Sequence, residues 1–319
     1  MSTRRILGIA LLAALAFLMV NRAEAIPAFA RKHKISCSTC HAPFPRLKPF
    51  GEEFAGRGFR MPPGQEPARA TYDVGDPLLE LPRKIPLAVR LDGYAAWNED
   101  ATAEADLEFP YVFKVLSGGP ISKKVSYYVY FILEKGEVEG LEDAYLQISS
   151  LGGKPVDLMF GQFQVSDPLF KREMRLERLD YEIYKARPGE SQVGLTYERG
   201  LMAIWGAPGQ VDVVLQVVNG NGIHDDAADF DRDSYKNVAL RAARQFGPVR
   251  AGLFGYSGKE EGLNGLSNCM YYWGPDLAFT IDETMQVNVQ YLERRDDNPF
   301  FLAEPGEKTV TRGGFVELV

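Results

Sequence analysis

The sequence predicts an all-β fold, namely a transmembrane antiparallel β-barrel behind a small head of mostly helical or irregular structure. Three observations predict it. Twelve segments in the last three quarters of the 319-residue chain alternate apolar and polar side chains with a period of two, the pattern of strands that have one apolar face. The connections between these segments alternate between short turns and long loops. A basic segment rich in proline and glycine precedes them all.

The chain begins with the pattern of a secretion signal. Arg4 and Arg5 form a basic start, residues 6–20 are apolar, and Ala23-Glu24-Ala25 supplies the small residues of a cleavage site. We therefore expect a signal peptide over 1–25, cleavage after Ala25, and export of the rest. No later stretch approaches the roughly 18 consecutive apolar residues that a membrane-spanning helix needs.

The head, residues 26–70, contains the motif Cys37-x-x-Cys40-His41. This is the attachment signature of c-type haem, in which two thiols reach the two vinyl groups on one edge of the porphyrin and the adjacent histidine binds the iron from the proximal side. There are three alternatives. The match could be accidental, or the motif could belong to a structural zinc site, for which no second Cys/His pair exists. The third is a redox dithiol, which would lie at the start of a helix that follows a βαβ pattern. We predict one covalent haem c on Cys37 and Cys40, with His41 on the iron.

Two residues of the head are candidates for the distal ligand of the iron. Met61 lies 20 residues after His41 and precedes two prolines, as in the Met-Pro loop of small cytochromes c. A thioether ligand would raise the potential, because a soft and weak donor stabilises ferrous iron. His33 lies four residues before Cys37 in the basic run 31–34. We favour Met61, with His33 as the alternative and an open or water-bound site as the third.

Residues 71–83 form a connector, since this stretch is punctuated by proline and glycine, and the predicted barrel occupies 84–319. In its first segment Leu87 and Leu91 fall on one face and Arg90 on the other. The predicted strands are 84–97, 107–116, 122–134, 141–150, 156–165, 193–206, 210–218, 236–246, 249–257, 269–281, 285–294 and 312–319.

The alternation of turn lengths favours a membrane barrel over a soluble β-sandwich or solenoid, because only the barrel needs short turns on one side and long loops on the other. Long loops are predicted near 98–106, 135–140, 166–192, 219–235, 258–268 and 295–311. The charged stretch LFKREMRLERLDYEIYK in the third of them predicts a helix at the barrel mouth or folded inward. Aromatic residues cluster near strand ends, where interfacial girdles lie: Tyr127, Tyr128, Tyr130, Phe131, Tyr271, Tyr272 and Trp273.

Charge is divided unevenly between the head and the barrel. Residues 26–70 carry eight Lys/Arg and three Asp/Glu, whereas residues 71–319 carry 25 and 39. We expect this complementarity to favour docking of the basic head inside a polar lumen. Nucleic-acid binding is excluded, because the barrel is acidic and the basic residues of the head lack an aromatic stacking platform.

Two other features carry less information. The loop Asp225 to Asp233, beside His224, has five aspartates but lacks the glycine and the distal glutamate of an EF-hand, so we interpret it as a solvated acidic loop rather than a cation site. Cys269 lies far from the other two cysteines and is expected to be a free thiol.

The head resembles that of the fused monohaem cytochrome-porins of the outer membrane, a family that includes the iron oxidases of iron-oxidising bacteria. The resemblance rests on Phe29 to Arg31, Cys37 to His41, Pro45 to Leu47 and Phe50 to Phe54. Downstream, LEDAYLQISSLGGKPVDLMFGQF and VVNGNG are similar to phosphate-selective-type porins. The resemblance implies up to sixteen strands, in which case the sequence, which stops at GGFVELV, would be incomplete.

These observations lead to a functional hypothesis. We expect a protein of the outer membrane of a Gram-negative-type bacterium that passes electrons through its barrel by one haem c, from extracellular Fe(II) to a periplasmic c-type cytochrome or other carrier. In that case it would act as an iron(II)-oxidising cytochrome. Two alternatives stay open: a solute porin with a structural or regulatory haem, and a periplasmic monohaem electron carrier.

Overall fold

The computed structural model describes residues 28–41, 45–62, 71–72, 75–76, 81–82, 86–97, 105–170, 180–223, 231, 233–282 and 285–319. The predicted signal peptide lies outside the described residues, as does most of the predicted connector. The descriptions below concern the described ranges.

Three short helices form the head: α1 (Ala28–His33), α2 (Cys37–Cys40) and α3 (Pro49–Gly56). Proline at the first position of α3 suits a helix start, because its φ is already helical and its missing N–H has no helical partner there. Within the predicted connector, β1 (Thr71–Tyr72) and β2 (Leu81–Pro82) pair antiparallel. None of the described helices is long and apolar enough to cross a membrane.

Twelve strands follow, and each of the twelve predicted segments overlaps one of them, so the predicted all-β architecture is confirmed. The strands are β3 (Leu87–Trp97), β4 (Ala105–Pro120), β5 (Val125–Glu134), β6 (Glu137–Ile148), β7 (Val156–Gln164), β8 (Tyr197–Ala207), β9 (Val211–Val218), β10 (Asn237–Phe246), β11 (Val249–Glu261), β12 (Ser267–Thr280), β13 (Gln286–Asp296) and β14 (Thr309–Leu318). A short 3₁₀ turn, Leu151–Gly153, lies before β7, and the four-residue helix α4 (Glu182–Lys185) lies before β8.

The strands form one antiparallel up-and-down sheet in chain order from β3 to β14. Each inner strand pairs with the strands before and after it in sequence. The edge strands β3 and β14 share no ladder within the described residues. Pairing of every inner strand on both sides satisfies the backbone N–H and C=O groups without water, which a structure in lipid requires.

The two ends of the sheet differ in the length of their connections. At one end, here called the short-turn end, the connections after β4, β6, β8, β10 and β12 span two to seven residues. At the other, the long-loop end, the connections after β7, β9 and β13 are residues 165–196, 219–236 and 297–308. The predicted alternation is confirmed at these positions.

The prediction of a long loop at 135–140 is wrong. Lys135 and Gly136 alone join β5 to β6, and both have positive φ, 53° and 86°. Such a turn is typical of two-residue hairpins, because its twist matches that of the flanking strands. The strand β6 then pairs through two register shifts with β5, which is why its start did not show a regular alternation.

The two faces of the sheet have the opposite polarity to those of a water-soluble protein, because apolar side chains are exposed and polar side chains are buried. Along β10, Val238 and Leu240 are exposed, whereas Asn237 and Arg241 on the opposite face are buried. Large apolar residues that point outward and are exposed include Leu87, Leu91, Trp97, Phe160, Leu201, Trp205, Leu215, Leu240, Leu253, Leu277 and Val316. Buried polar residues on the inner face include Lys114, Gln147, Glu198, Gln216, Asn237, Arg241, Glu260, Asp276, Gln290 and Arg294. An apolar outer face and a polar interior are the pattern of a transmembrane β-barrel.

Outward aromatic residues bracket this apolar face on β10 to β12. Tyr271 and Trp273 lie toward the long-loop end, and Phe246 and Phe279 lie toward the short-turn end. From Tyr271 to Phe279 the strand advances eight residues, about 26 Å, which at the usual tilt of about 40° spans about 20 Å of the roughly 25 Å apolar band of such barrels. Tyr128, Tyr130 and Tyr272, which the sequence placed in the girdles, instead contact the interior.

Replacement of an outward leucine by arginine tests whether this face contacts lipid. Leu253 lies on β11 between the two aromatic rows, whereas Leu263 lies in the loop after it and is fully exposed. We expect Leu253→Arg to destabilise the folded protein in vesicles by about 2–4 kcal/mol and Leu263→Arg by about 0–1 kcal/mol. Urea unfolding in vesicles, followed by heat-modifiable gel migration, measures both. Equal costs at the two positions would refute the assignment of a lipid-facing surface.

Candidate functional site

The helix α2 presents the two cysteines of the motif on a single turn. The His41 backbone N–H donates to the Cys37 carbonyl at 3.0 Å, and the Lys48 N–H donates to the Cys40 carbonyl at 2.8 Å. Cys37 is exposed and Cys40 is half-buried, and both are free thiols. The three-residue spacing therefore places both thiols on one short helix directly before His41.

The ring of His41 is held by the loop that follows it. Its Nδ1 lies 3.0 Å from the Pro45 carbonyl oxygen and 3.2 Å from that of Arg46. A carbonyl only accepts hydrogen bonds, so Nδ1 must carry the proton, and Nε2 is then the nitrogen with the lone pair. Iron- and zinc-binding histidines are oriented in this way by a backbone carbonyl on the other ring nitrogen. The arrangement fits His41 as a metal ligand through Nε2.

The thiol of Cys40 is a weaker acid than an ordinary cysteine thiol. Partial burial raises its pKa above the ordinary value, and the neighbouring Cys37 raises it further. In a catalytic Cys-x-x-Cys pair the thiolate is the attacking species, and the lowered pKa belongs to the exposed first cysteine, so a raised pKa at the second, Cys40, is compatible with either interpretation of the motif. The described residues of the head contain no βαβ unit around the motif, which a thioredoxin-like dithiol would have.

A close approach of α3 to α2 fixes the motif against the rest of the head. A Cβ added to Gly51 would lie 2.5 Å from the Cys40 carbonyl oxygen and 2.9 Å from a methyl carbon of Leu47. Only glycine fits such a contact without displacing backbone atoms. By contrast, Gly56, at the end of the same helix, has open space around it.

An aromatic cluster forms the apolar core of the head and contains both candidate distal ligands. Phe54, Phe59 and Met61 are buried together, with Phe29, Phe50 and Ile35 packed against them. The buried His33 ring lies 5.1 Å from that of Phe54 in an edge-to-face contact. The structure thus brings His33 and Met61 to one cluster. Apolar surroundings of this kind suit a porphyrin ring.

The head sits inside the short-turn end of the barrel. The Phe59 ring lies 5.2 Å from that of Tyr128 on β5, and the Gly56 carbonyl accepts a hydrogen bond of 2.7 Å from Gln147 on β6. On the far side, Arg46 donates to Gln286 on β13 at 3.2 Å. The sheet therefore curves around the head, which touches strands near both of its edges.

Hydrogen bonds to backbone carbonyls carry much of this docking. Arg31 donates to the Leu87 carbonyl at 3.2 Å, and Arg60 donates to those of Val125, at 2.9 Å, and Ser122. Glu52 interacts electrostatically with Arg250 on β11. As predicted, basic residues of the head form contacts inside the lumen. The partners of Arg31 and Arg60 are carbonyl oxygens, however, rather than the carboxylates that the charge balance suggested.

A second element enters the lumen from the opposite end. Residues 180–196, here called the inward segment, fold inward as predicted. The fully buried Tyr184 donates to Gln290 at 3.3 Å, and Tyr181 donates to Glu317 at 2.6 Å while its ring stacks on Phe315 at 4.0 Å. Residues 171–179 of the predicted helix lie outside the described residues, and α4 is its described part.

Arg294 on β13 holds the inward segment in place. Its guanidinium donates to the Val193 carbonyl and to the Ser191 hydroxyl, both at 2.7 Å, and pairs with Asp296 through two bonds of 2.7 Å. Ser191 in turn donates to the buried Glu260. Because these charges are buried, their mutual hydrogen bonds are what makes their burial tolerable.

The acidic loop does not form a cation site within the described part of the chain. Asp225, Asp226 and Asp229 lie outside the described residues. Both carboxylate oxygens of Asp233 accept backbone N–H bonds, from Tyr235 at 2.7 Å and Glu261 at 2.9 Å, and Asp231 pairs with Lys236. No group of three or more His, Cys, Asp or Glu side chains in the described residues is arranged to hold a metal ion.

The comparisons with known proteins give no family assignment for this chain. No family model matches the chain, and no curated protein matches it. Among solved structures, in-vitro folded OmpT, an outer membrane protein of Vibrio cholerae, aligns with a TM-score of 0.39 and 10% identity, over 66% of this chain and 65% of that chain. Its loop L8 deletion mutant aligns with a TM-score of 0.40 and 9% identity, over 73% and 87%. We base the fold assignment on the strand pairing and on the two faces of the sheet.

The contact at Gly51 predicts a sharp difference between two glycines of the same helix. We expect Gly51→Ala to displace α3 from α2 and, if the motif carries haem as the sequence predicts, to lower the yield of haem-loaded protein several-fold, whereas Gly56→Ala leaves the yield unchanged, because its Cβ would meet open space. Haem staining of purified outer membranes, normalised to immunoblot signal, measures the ratio. Normal loading of the Gly51 variant would show that this packing does not position the motif.

The contacts of Arg294 predict that its loss frees the inward segment. Arg241 is the matched control, since it is equally buried and paired with Asp276 but contacts no residue of the inward segment among its hydrogen bonds. Both Arg294→Gln and Arg241→Gln leave a buried aspartate unpaired and should cost about 3–5 kcal/mol. Only Arg294→Gln should expose the inward segment, so that trypsin cleaves after Lys185 several-fold faster than in the parent protein. Equal cleavage rates in the two variants would contradict the pinning role.

Proposed function

We propose that the protein is an outer-membrane electron-transfer protein that carries one covalent haem c, on Cys37 and Cys40, in a head docked inside a twelve-stranded barrel. The observation that carries the proposal is the state of His41. Its Nδ1–H is committed to the Pro45 carbonyl, so that Nε2 is the nitrogen able to bind iron, directly beside two thiols at the spacing that haem attachment requires.

The residues of the head fit this group in three respects. Two free thiols lie on one turn, the histidine beside them has the required tautomer, and an aromatic cluster with His33 and Met61 supplies apolar surroundings and a choice of distal donor. When bound, haem c supplies a one-electron carrier. The residues of the chain orient His41, through the Pro45 carbonyl, and exclude water, through Phe54 and its aromatic neighbours.

The position of the head supports electron exchange with a partner on the periplasmic side. Short turns of bacterial outer-membrane barrels face the periplasm, and the head contacts the short-turn end through Arg60, Gln147 and Gln286. We infer that a periplasmic c-type cytochrome or other soluble carrier meets the exposed Cys37 side of the head. Extracellular Fe(II) is the proposed donor, and its electron must cross the length of the strands.

The outer apolar face supports insertion in the outer membrane, with lipid as its surroundings. Outward leucines and tryptophans on most strands would otherwise be exposed to water, and soluble proteins rarely expose an apolar surface of this extent. This pattern favours the membrane barrel over a periplasmic carrier.

The main alternative is a solute porin with a structural or regulatory haem. The polar inner face is favourable for it, but the head and the inward segment occupy the two ends of the lumen. We therefore expect the native protein to show small and unsteady currents in planar bilayers. Large steady currents from the native protein would favour the porin.

The cysteines allow a direct test of haem attachment. Cys37→Ala and Cys40→Ala should each leave a single thioether, with the corresponding shift of the pyridine haemochrome band, and the double variant should contain no covalent haem. Cys269→Ala is the control, because Cys269 lies on β12 and not in the head. Covalent haem in the double variant would refute the assignment.

The electron donor is tested in whole cells. We expect the haem to be reduced by added Fe(II) as well as by dithionite, with the same spectrum. Reduction by dithionite but not by Fe(II) would refute Fe(II) as donor, while the haem assignment would stand on the cysteine variants.

A further inference from the structure

The outward face of β12 to β14 carries a cluster of charged side chains toward its long-loop end. Glu293 on β13 lies directly opposite Trp273 on β12 and Arg312 on β14. Arg295, two residues further along β13, lies opposite Tyr271. The cluster therefore occupies the same two rows of the sheet as the outward aromatic residues. In membrane barrels such aromatic rows mark the level of the lipid headgroups.

Two arginines of this cluster share one carboxylate. Arg295 donates from Nε to Glu293 at 2.7 Å and pairs with it through Nη2 at 2.6 Å, and Arg312 donates from Nε to the other carboxylate oxygen at 2.6 Å. The Glu293 side chain is only 5% exposed, whereas those of Arg295 and Arg312 are 57% and 60% exposed. The carboxylate is thus enclosed, while both guanidinium groups are accessible from outside the sheet.

The other charged side chains of the adjoining loop do not pair with these arginines. Lys308 pairs with Asp297 at 2.8 Å. Glu304 and Glu307 are exposed, and neither forms an ion pair with the two arginines in the part of the chain that the structure describes. Two guanidinium groups therefore share a single carboxylate, which leaves the cluster with one positive charge in excess.

We propose that Arg295 and Arg312 bind the phosphate group of a lipid in the outer leaflet. A guanidinium matches two oxygens of one phosphate, and the long-loop end of such a barrel lies on the outer side of the membrane, since the short turns face the periplasm. An excess charge on a lipid-facing surface is costly unless it reaches the headgroups and finds a counter-charge there. A lipid phosphate supplies that counter-charge at the level of the aromatic rows.

The flanking aromatic residues favour a lipid over a soluble anion. Tyr271 and Trp273 are about half exposed on the same face, beside the two arginines, so a ligand with acyl chains gains apolar contact that a free phosphate does not. The inference rests on the proposed insertion in the outer membrane and is independent of the haem.

Binding is tested by native mass spectrometry of the intact protein in detergent micelles, with diphosphoryl lipid A as the probe. We expect a lipid to stay bound to the parent protein. Arg295→Gln and Arg312→Gln should each weaken binding about fivefold, since each removes one cation at the headgroup level. Arg244→Gln is the matched control and should leave binding unchanged, because Arg244 is an exposed outward arginine beside an aromatic ring, that of Phe246, at the short-turn end.

Two competitors identify the ligand. We expect the dephosphorylated glycolipid to bind at least about tenfold more weakly than lipid A, and inorganic phosphate at the same concentration to leave lipid A bound. Equal binding of the dephosphorylated glycolipid would remove the phosphate from the recognition. Displacement by inorganic phosphate would assign the arginines to a soluble anion and overturn the lipid as ligand.

Unchanged binding in the variant that lacks both arginines, with normal heat-modifiable migration to show that it is folded, would refute the site. The counter-charge would then come from the chain, for example from Glu99, Asp100 and Glu104, which lie outside the described residues. This result differs from a failure of the membrane assignment, which the comparison of Leu253→Arg with Leu263→Arg tests separately.

Discussion

The structure depends on one constraint: a sheet that places its apolar side chains outward must place its polar side chains on its concave inner face. On β10 and β12, Leu240 and Leu277 face out while Arg241 and Asp276 face in and pair with each other. Each such group loses water on folding and must find a protein partner. The segments inside the lumen are therefore those that supply hydrogen-bond partners to the polar side chains of its inner face.

The head and the inward segment meet this need in different ways. The inward segment brings backbone carbonyls and hydroxyl groups to charged wall residues, as Val193 and Ser191 do for Arg294. The head brings its own guanidinium groups to carbonyls at the short-turn end, as Arg60 does at Val125. An arginine can use several donors at once, so a few such residues fix the orientation of a small domain that has little apolar core of its own.

The sequence was sufficient to predict the strands, because alternation is a local property and needs no knowledge of partners. It also allowed Cys37, Cys40 and His41 to be proposed as haem residues, since the motif is defined by their spacing, and that assignment stays a prediction. It did not predict the two-residue turn at Lys135, because register shifts blurred the alternation in β6. Nor did it predict Arg294 as an important residue, since its partners Val193 and Ser191 lie about 100 residues away in the sequence. The absence of glycine and proline from the charged stretch before β8 was the one available signal for the inward segment.

The arrangement of the two ends bears on what the barrel can do. A solute needs a continuous aqueous path, and Arg294 holds the inward segment across that path. Electron exchange between the head and a periplasmic carrier at the short-turn end needs no open channel, so a lumen that the head and the inward segment occupy is compatible with the proposed electron transfer.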